Sequence, residues 1–278
     1  MIGLSSSYFA TKGFGLKDSI INCSEMGFNL IELGAAHKYS VHEGNPFEII
    51  KKIRKDFPEK TFTIHGLFPP QKKGVWFNPS LGLTKENKLI AGNMLKAARI
   101  VEAEVIGFHP GFLFEMGLEW KKEGYAEAVK LRELEREESF SNLFDVISFF
   151  FKKNSSDTKI AIENIKTQDG ALISGFQGFG KVFREFPELG LLFDTGHAQC
   201  DSTLKGLIGL HEKIFEIHLH SNSNGKDVHR PVNSKFLSKL KSIKRIKRIP
   251  IILEHFKNVK EEEILKEKSL VEKWMEKN

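Results

Sequence analysis

The chain has 278 residues, about 40% of them apolar and 28% charged, and carries a formal charge of +6. This composition excludes a disordered or fibrous chain, and no run approaches the roughly 18 apolar residues that a membrane-spanning helix needs. The two cysteines, Cys23 and Cys200, are too far apart in sequence to read as a metal-binding pair or a disulfide framework, and a start without the apolar run of a secretion signal points to the cytoplasm. A monomer without membrane contact is expected.

Short apolar runs alternate with stretches of helical spacing along the chain. Ile2–Ser5 leads to helical spacing over Lys17–Met26, Leu30–Leu33 to Pro46–Phe57, and Thr61–Ile64 to Lys85–Ala103. Val105–Phe108 leads to Glu123–Lys153, whose cluster from Val146 to Phe151 reads as a buried helix face, and Lys159–Ile162 leads to Gly178–Phe186. Leu189–Phe193, Ile214–Leu219 and Pro250–Leu253 precede Ser202–His211, Ser234–Ile243 and Val259–Trp274. These strand-helix units imply a parallel sheet. An open doubly wound sheet would carry a glycine-rich nucleotide fingerprint after its first strand, where this chain has Ser5-Ser6-Ser7-Tyr8. The spaced glycines at 175–180 follow a loop instead. The expected fold is α/β, a single (β/α)8 TIM barrel over residues 1–278.

Polar, metal-capable residues close nearly every expected strand. Glu32, His65, His109, Glu163, Asp194 with His197, His218 with His220, and Glu254 all fall there, and Asp227 and His229 follow the seventh strand. In a parallel barrel these ends converge on one rim, where active sites of this fold lie. Each residue alone has a plainer reading: a histidine hydrogen-bonded in a loop, or a helix N-cap for Asp194. Caps and loops do not require imidazole or carboxylate at strand end after strand end, so the series points to a metal centre. Histidine and carboxylate donors without cysteine suit zinc, manganese, iron or cobalt.

An ordered set of motifs then resembles one family. Phe77-Asn78-Pro79-Ser80, Gly107-Phe108-His109-Pro110-Gly111, Ile162-Glu163-Asn164, Phe193-Asp194-Thr195-Gly196-His197-Ala198 and Ile251-Ile252-Leu253-Glu254 resemble endonuclease IV of the xylose-isomerase-like barrels. The resemblance runs from about Ile31 to Trp274. It implies up to three metal ions, zinc in most of the family, with manganese or another divalent ion as alternatives. His65, His109 and Glu163 would hold one, Glu163 with Asp194, His218 and Glu254 a second, and His197, Asp227 and His229 a third. The implied reaction is hydrolysis of DNA 5′ to an abasic site by metal-bound hydroxide, with Glu163 and Glu254 central to catalysis. Phe68 matches an aromatic that enters the DNA stack, and Lys38, Tyr39, Lys72 and Lys73 would contact the duplex. Glu32 and His220 would sit behind the ligands as hydrogen-bond partners, with His220 also able to replace His218.

The chain departs from the family pattern in three places. Leu219-His220-Ser221-Asn222 follows where Asn-Asp or Asp-Ser is usual, Arg230-Pro231-Val232-Asn233 replaces glycines, and Gly196 replaces a cysteine. The alternative reading is a sugar isomerase or epimerase of the same superfamily, acting on a small sugar or sugar phosphate. One divalent metal would then sit on Glu163, Asp194, His218 and Glu254, with Glu163 and Glu254 trading protons with a ketose. A non-catalytic barrel that binds damaged DNA or a phosphorylated partner is a third.

Overall fold

The computed structural model describes all residues except 35–43, 67, 70–76, 121–125, 168–169, 174, 224 and 278. Its strands in chain order are β1 (Ile2–Ser5), β2 (Leu30–Leu33), β3 (Thr61–His65), β4 (Val105–Phe108), β5 (Phe114–Trp120), β6 (Ala126–Glu133), β7 (Lys159–Glu163), β8 (Gly190–Asp194), β9 (Ile214–Leu219), β10 (Ser221–Ser223), β11 (Lys226–Arg230) and β12 (Ile251–Leu253). Among the described residues, β1, β2, β3, β4, β7, β8, β9 and β12 pair in parallel and close into a barrel. The expected (β/α)8 barrel is the observed fold.

Helices α1 (Ser7–Ala10), α2 (Leu16–Glu25), α3 (Pro46–Asp56), α4 (Lys85–Val101), α5 (Arg136–Lys153), α6 (Gly175–Glu185), α7 (Thr195–Cys200), α8 (Leu204–Ile208), α9 (Ser234–Ser238) and α10 (Glu261–Lys277) connect the strands. Side chains alternate faces along each strand. One parity supplies Ile31, Phe62, Ile106, Ile162, Phe193, Ile217 and Leu253 to the large apolar cluster shared with the helices. The other parity forms a small separate apolar group of Val105, Ala161 and Leu192. One step further along those strands come Glu163 and Asp194. The residues nearest the C-terminal rim are therefore polar because they continue the inward row, and Val146, Ile147 and Phe150 of α5 are buried as expected.

The expected helix over Glu123–Lys153 is corrected. Among the described residues of that stretch only α5 is helical, while β5 and β6 form an antiparallel hairpin between β4 and α5. Residues 126–133 are mostly good helix formers, but they are tied across to β5, as in the Arg132–Glu115 ion pair at 2.6 Å. Nonlocal pairing overrides a weak local propensity. The stretch at 175–180 opens α6, which begins at Gly175, ahead of the expected helical start at Gly178. Asp227 and His229 lie on β11, the second strand of another hairpin, rather than in a loop.

Candidate metal centre

Strand register brings the strand-end residues together. Asp194 pairs with His218 across β8 and β9, and Glu32 lies beside Ser5 and Thr63 on β2. His65, Glu163, Asp194, His218, His220, His229 and Glu254 are all buried. Buried acids and imidazoles are costly unless paired or holding cations.

Glu163 stands at the middle. Its Oε2 lies 2.7 Å from His65 Nε2 and 3.0 Å from His109 Nε2. Its Oε1 faces the other way, 3.4 Å from His197 Nδ1 and 3.8 Å from His218 Nδ1. One carboxylate therefore spans two donor groups. Burial alone would raise its pKa, but the charges of His65 and His109 outweigh that and hold it well below the usual carboxylate range. Glu254 is held low in the same manner, burial being outweighed chiefly by His218 and His229.

Each of three histidines has one ring nitrogen tied to an acceptor and the other facing carboxylates. His218 donates Nε2–H to Glu32 at 2.6 Å, and its Nδ1 has no hydrogen-bond partner while lying 3.3 Å from Glu254 Oε2 and 3.8 Å from Asp194 Oδ2. His197 donates Nδ1–H to the Asn164 carbonyl at 3.1 Å and turns Nε2 to Asp227 Oδ2, also at 3.1 Å. His229 donates Nδ1–H to the Glu254 carbonyl at 2.8 Å and turns Nε2 to Asp227 Oδ1 at 3.3 Å. This anchoring of one nitrogen, which fixes the tautomer and frees the other, is how metal-ligating histidines are held.

The donors gather into His65–His109–Glu163, Asp194–His218–Glu254, Glu163–Asp194–His197 and His197–His220–Asp227–His229 groups, each with its donor atoms within 4.8 Å of one another. Glu32, His65 and His218 form a further buried group. The unpartnered His218 Nδ1 and Glu254 Oε2, buried among oxygen and nitrogen donors, fit a divalent cation. Protons occupy the nitrogens otherwise. For His65, burial is outweighed by the Glu163 charge and the pKa is pushed up to about 9. For His229, Glu254 and Asp227 overcome burial and also push it up to about 9.

Asp194 turns its two oxygens to different partners. Oδ1 caps α7 by accepting the His197 N–H at 2.6 Å, and Oδ2 faces the centre, 3.0 Å from His220 Nε2. Glu32 bonds to His218, and His220 to Asp194. The DNA-contacting set fares differently. Phe68 is fully buried in the apolar core, where its ring removes a large apolar area from water rather than presenting it at the surface. Lys38, Tyr39, Lys72 and Lys73 lie outside the described residues.

Several supporting residues carried no role in the sequence reading. Asn164 clamps β8 by accepting the Asp194 N–H at 2.9 Å and donating to its carbonyl at 2.8 Å. Asn222 accepts the His229 N–H at 3.1 Å and donates to Asp227 Oδ1 at 2.9 Å. Lys166 brings its ammonium within 3.7 Å of Asp227. The position of Asn164 after Glu163 was a usable signal; the others are set by nonlocal contacts. Asn78 proves structural: its Oδ1 accepts the Phe112 and Ser80 N–H groups, beside Gly111 at φ 117°, where a Cβ would lie 2.4 Å from Ser80 Oγ.

Solved structures of the same shape include D-psicose 3-epimerase with D-tagatose from Clostridium cellulolyticum, at TM-score 0.64 and 14% identity, covering 92% of this chain and 84% of that one. Endonuclease IV from Thermus thermophilus aligns at TM-score 0.63 and 16% identity, over 100% and 99% of the two chains. Another Thermus thermophilus protein, soaked with ZnCl2, aligns at TM-score 0.64 and 14% identity over 98% of each. At such identities the likeness bears on the fold alone. No curated relative matches the sequence. Residues 20–276 match the family model described as xylose isomerase-like TIM barrel, and the chain belongs to that family.

Proposed function

We propose that this chain is a multi-metal phosphodiesterase of the endonuclease IV kind, acting in DNA repair on the backbone 5′ to an abasic site. The observation that carries this reading is the His197–Asp227–His229 group. Both imidazoles are anchored through Nδ1 to main-chain carbonyls and turn Nε2 to the same carboxylate. A sugar epimerase built on one metal needs only Glu163, Asp194, His218 and Glu254 and leaves that group without work.

Bound divalent metals, zinc foremost, would supply Lewis acidity at the phosphate and hydroxide at neutral pH. Glu163 bridges two donor groups and fixes their spacing. Glu32 holds the His218 ring so that Nδ1 faces the carboxylates, and Asn164 holds both Asp194 and His197. Lys166 adds positive charge at the edge of the third group, where an anionic backbone would approach.

Metal per chain on protein purified without chelators tests the reading. About three zinc ions, with one lost in His229→Ala, and incision of an abasic-site duplex are expected. One manganese, cobalt or magnesium ion indifferent to His229→Ala, with turnover of a ketose, would replace this reading by the epimerase. Metal content with turnover of neither substrate would favour a binding barrel.

A further inference from the structure

The helices outside the barrel are uneven in length. α4, α5 and α10 run 17, 18 and 17 residues, while α8 and α9 have 5 each. A helix of that length rises only about 7.5 Å and covers little of the wall behind it. Beside these two short helices lies a cavity of about 830 Å³, lined from the end of α7, from α8 and from the segment after α9. That volume suits a small molecule.

Its walls divide by chemistry. Ala198 and Ile208 are buried and Leu204 half-buried, and together they give the cavity an apolar side. Lys205, Lys239 and Lys244 line it as well, all exposed, and among the described residues none of the three forms an ion pair. Among the described residues no Asp or Glu lines the cavity. His211, also on the lining, is turned to Glu212 at 3.2 Å and is not counted with the lysines. Ser202 closes α7 at φ 58°, where glycine is the usual residue, and so adds a hydroxyl-bearing side chain to the wall. Gln199 marks the boundary with the metal centre: it lines the cavity, and its Oε1 accepts the Asn222 N–H at 3.0 Å.

We propose that this cavity binds an organic phosphate, with a dianionic head on the lysines and an apolar body against Leu204 and Ile208, apart from the metal centre. Like charges gathered without acids repel one another, and a dianion among them relieves that repulsion. A neutral ligand would leave the lysines unanswered, and inorganic phosphate would leave the apolar side uncovered. The lining extends from α7, which follows the C-terminal end of β8, to His211, which precedes β9. It therefore runs down the outer wall, where a small molecule fits and a duplex held at the rim does not. The proposal does not depend on the multi-metal reading above.

The test is calorimetric titration of phenylphosphonate, whose P–C bond resists hydrolysis, into the full chain purified without chelators. Inorganic phosphate and benzyl alcohol serve as comparisons. Any bound metal also takes a phosphonate, so Glu163→Ala and chelator-stripped wild type separate the two sites. Binding at the cavity is expected to persist in both and to weaken with added salt. Combining Lys239→Glu and Lys244→Glu, both exposed positions, should lower the affinity at least about tenfold, because charged contacts are lost. Metal content should stay at the wild-type value in that variant. Phenylphosphonate should also bind at least about tenfold more tightly than inorganic phosphate, from the apolar area its ring buries. Wild-type affinity in the lysine variant, or binding that vanishes in both Glu163→Ala and the stripped protein, would overturn the site. Equal affinity for inorganic phosphate or for benzyl alcohol would overturn the ligand class.

Discussion

Glu32 shows how much a residue bonded to the far side of the His218 ring can decide. It is fully buried on β2 and accepts the 2.6 Å bond from His218 Nε2. Glu32→Ala should lower affinity for the ion at Asp194–His218–Glu254 by about 10–100-fold, while Glu32→Gln, which keeps an acceptor, should recover most of it. Competition with a chromophoric chelator measures this, and equal affinities in both variants would contradict the role. Titration at single residues also sets a pH signature for the metal-free protein. His65 and His229 rise from 6.5 to about 9 on folding, and burial with the Glu32 charge pushes Glu216 up to about 8. Groups raised in this way stabilise the fold fully below their unfolded values and lose that contribution as pH rises through the folded ones. Glu163 and Glu254 are depressed below 4.5, so their contribution is present above that value and is lost on acidification. The metal-free unfolding temperature should therefore decline as pH rises from about 6.5 toward 9. Metal affinity should increase over the same range, because the ion competes with protons for the same nitrogens. An apo profile that climbs over that interval would refute the assignment.

Among elements, the last helix does more than cover the barrel. From α10, buried Glu267 accepts the Val232 N–H at 2.7 Å and pairs with His255 Nε2 at 2.5 Å. His255 in turn donates Nδ1–H to the His229 carbonyl at 2.8 Å. His229 has φ 47°, the left-handed region that a non-glycine residue enters only when its surroundings hold it. The Glu267–His255 pair supplies that hold. Glu267→Ala should cost on the order of 3 kcal/mol in chemical denaturation, the usual penalty for breaking a buried pair. It should also loosen the ion at His197–Asp227–His229 more than the others. A loss below about 0.5 kcal/mol, the level of an ordinary surface change, would show that the pair holds nothing. The hairpins carry the complementary lesson. β11 presents Asp227 and His229 on one short strand because Asn222 binds the Val228 and His229 N–H groups from across the hairpin.

For the whole molecule, the barrel brings carboxylates and imidazoles from β3, β7, β8, β9, β11 and the ends of β4 and β12 into one cluster, most of it buried. Such an assembly exists only in the folded state, so ions that bind it stabilise the fold by linkage. At a free concentration about a thousandfold above the dissociation constant, each independent site adds about 4 kcal/mol. Chelation should accordingly lower the calorimetric unfolding temperature by several degrees, and zinc should restore it. An unfolding temperature indifferent to both would mean that the cluster takes no ion. Among the described residues no helix is long and apolar enough to cross a membrane.

Much of this was legible in the chain itself. The eight strand runs lie within a residue or so of the observed barrel strands, because each is a short apolar run bounded by helical spacing. Glu163, Asp194 and Glu254 were readable as rim residues because the inward row of a parallel strand ends at the rim. Three things were decided only in three dimensions. Residues 126–133 became a strand because pairing with β5 outweighed their helical preference. Phe68 went into the core because burial of its ring, not its place three residues after His65, sets where it points. The joint fit of Gly196 and His220, which read in sequence as unrelated departures, is a contact between side chain and main chain 24 residues apart, and local sequence carries no signal for a distance of that kind.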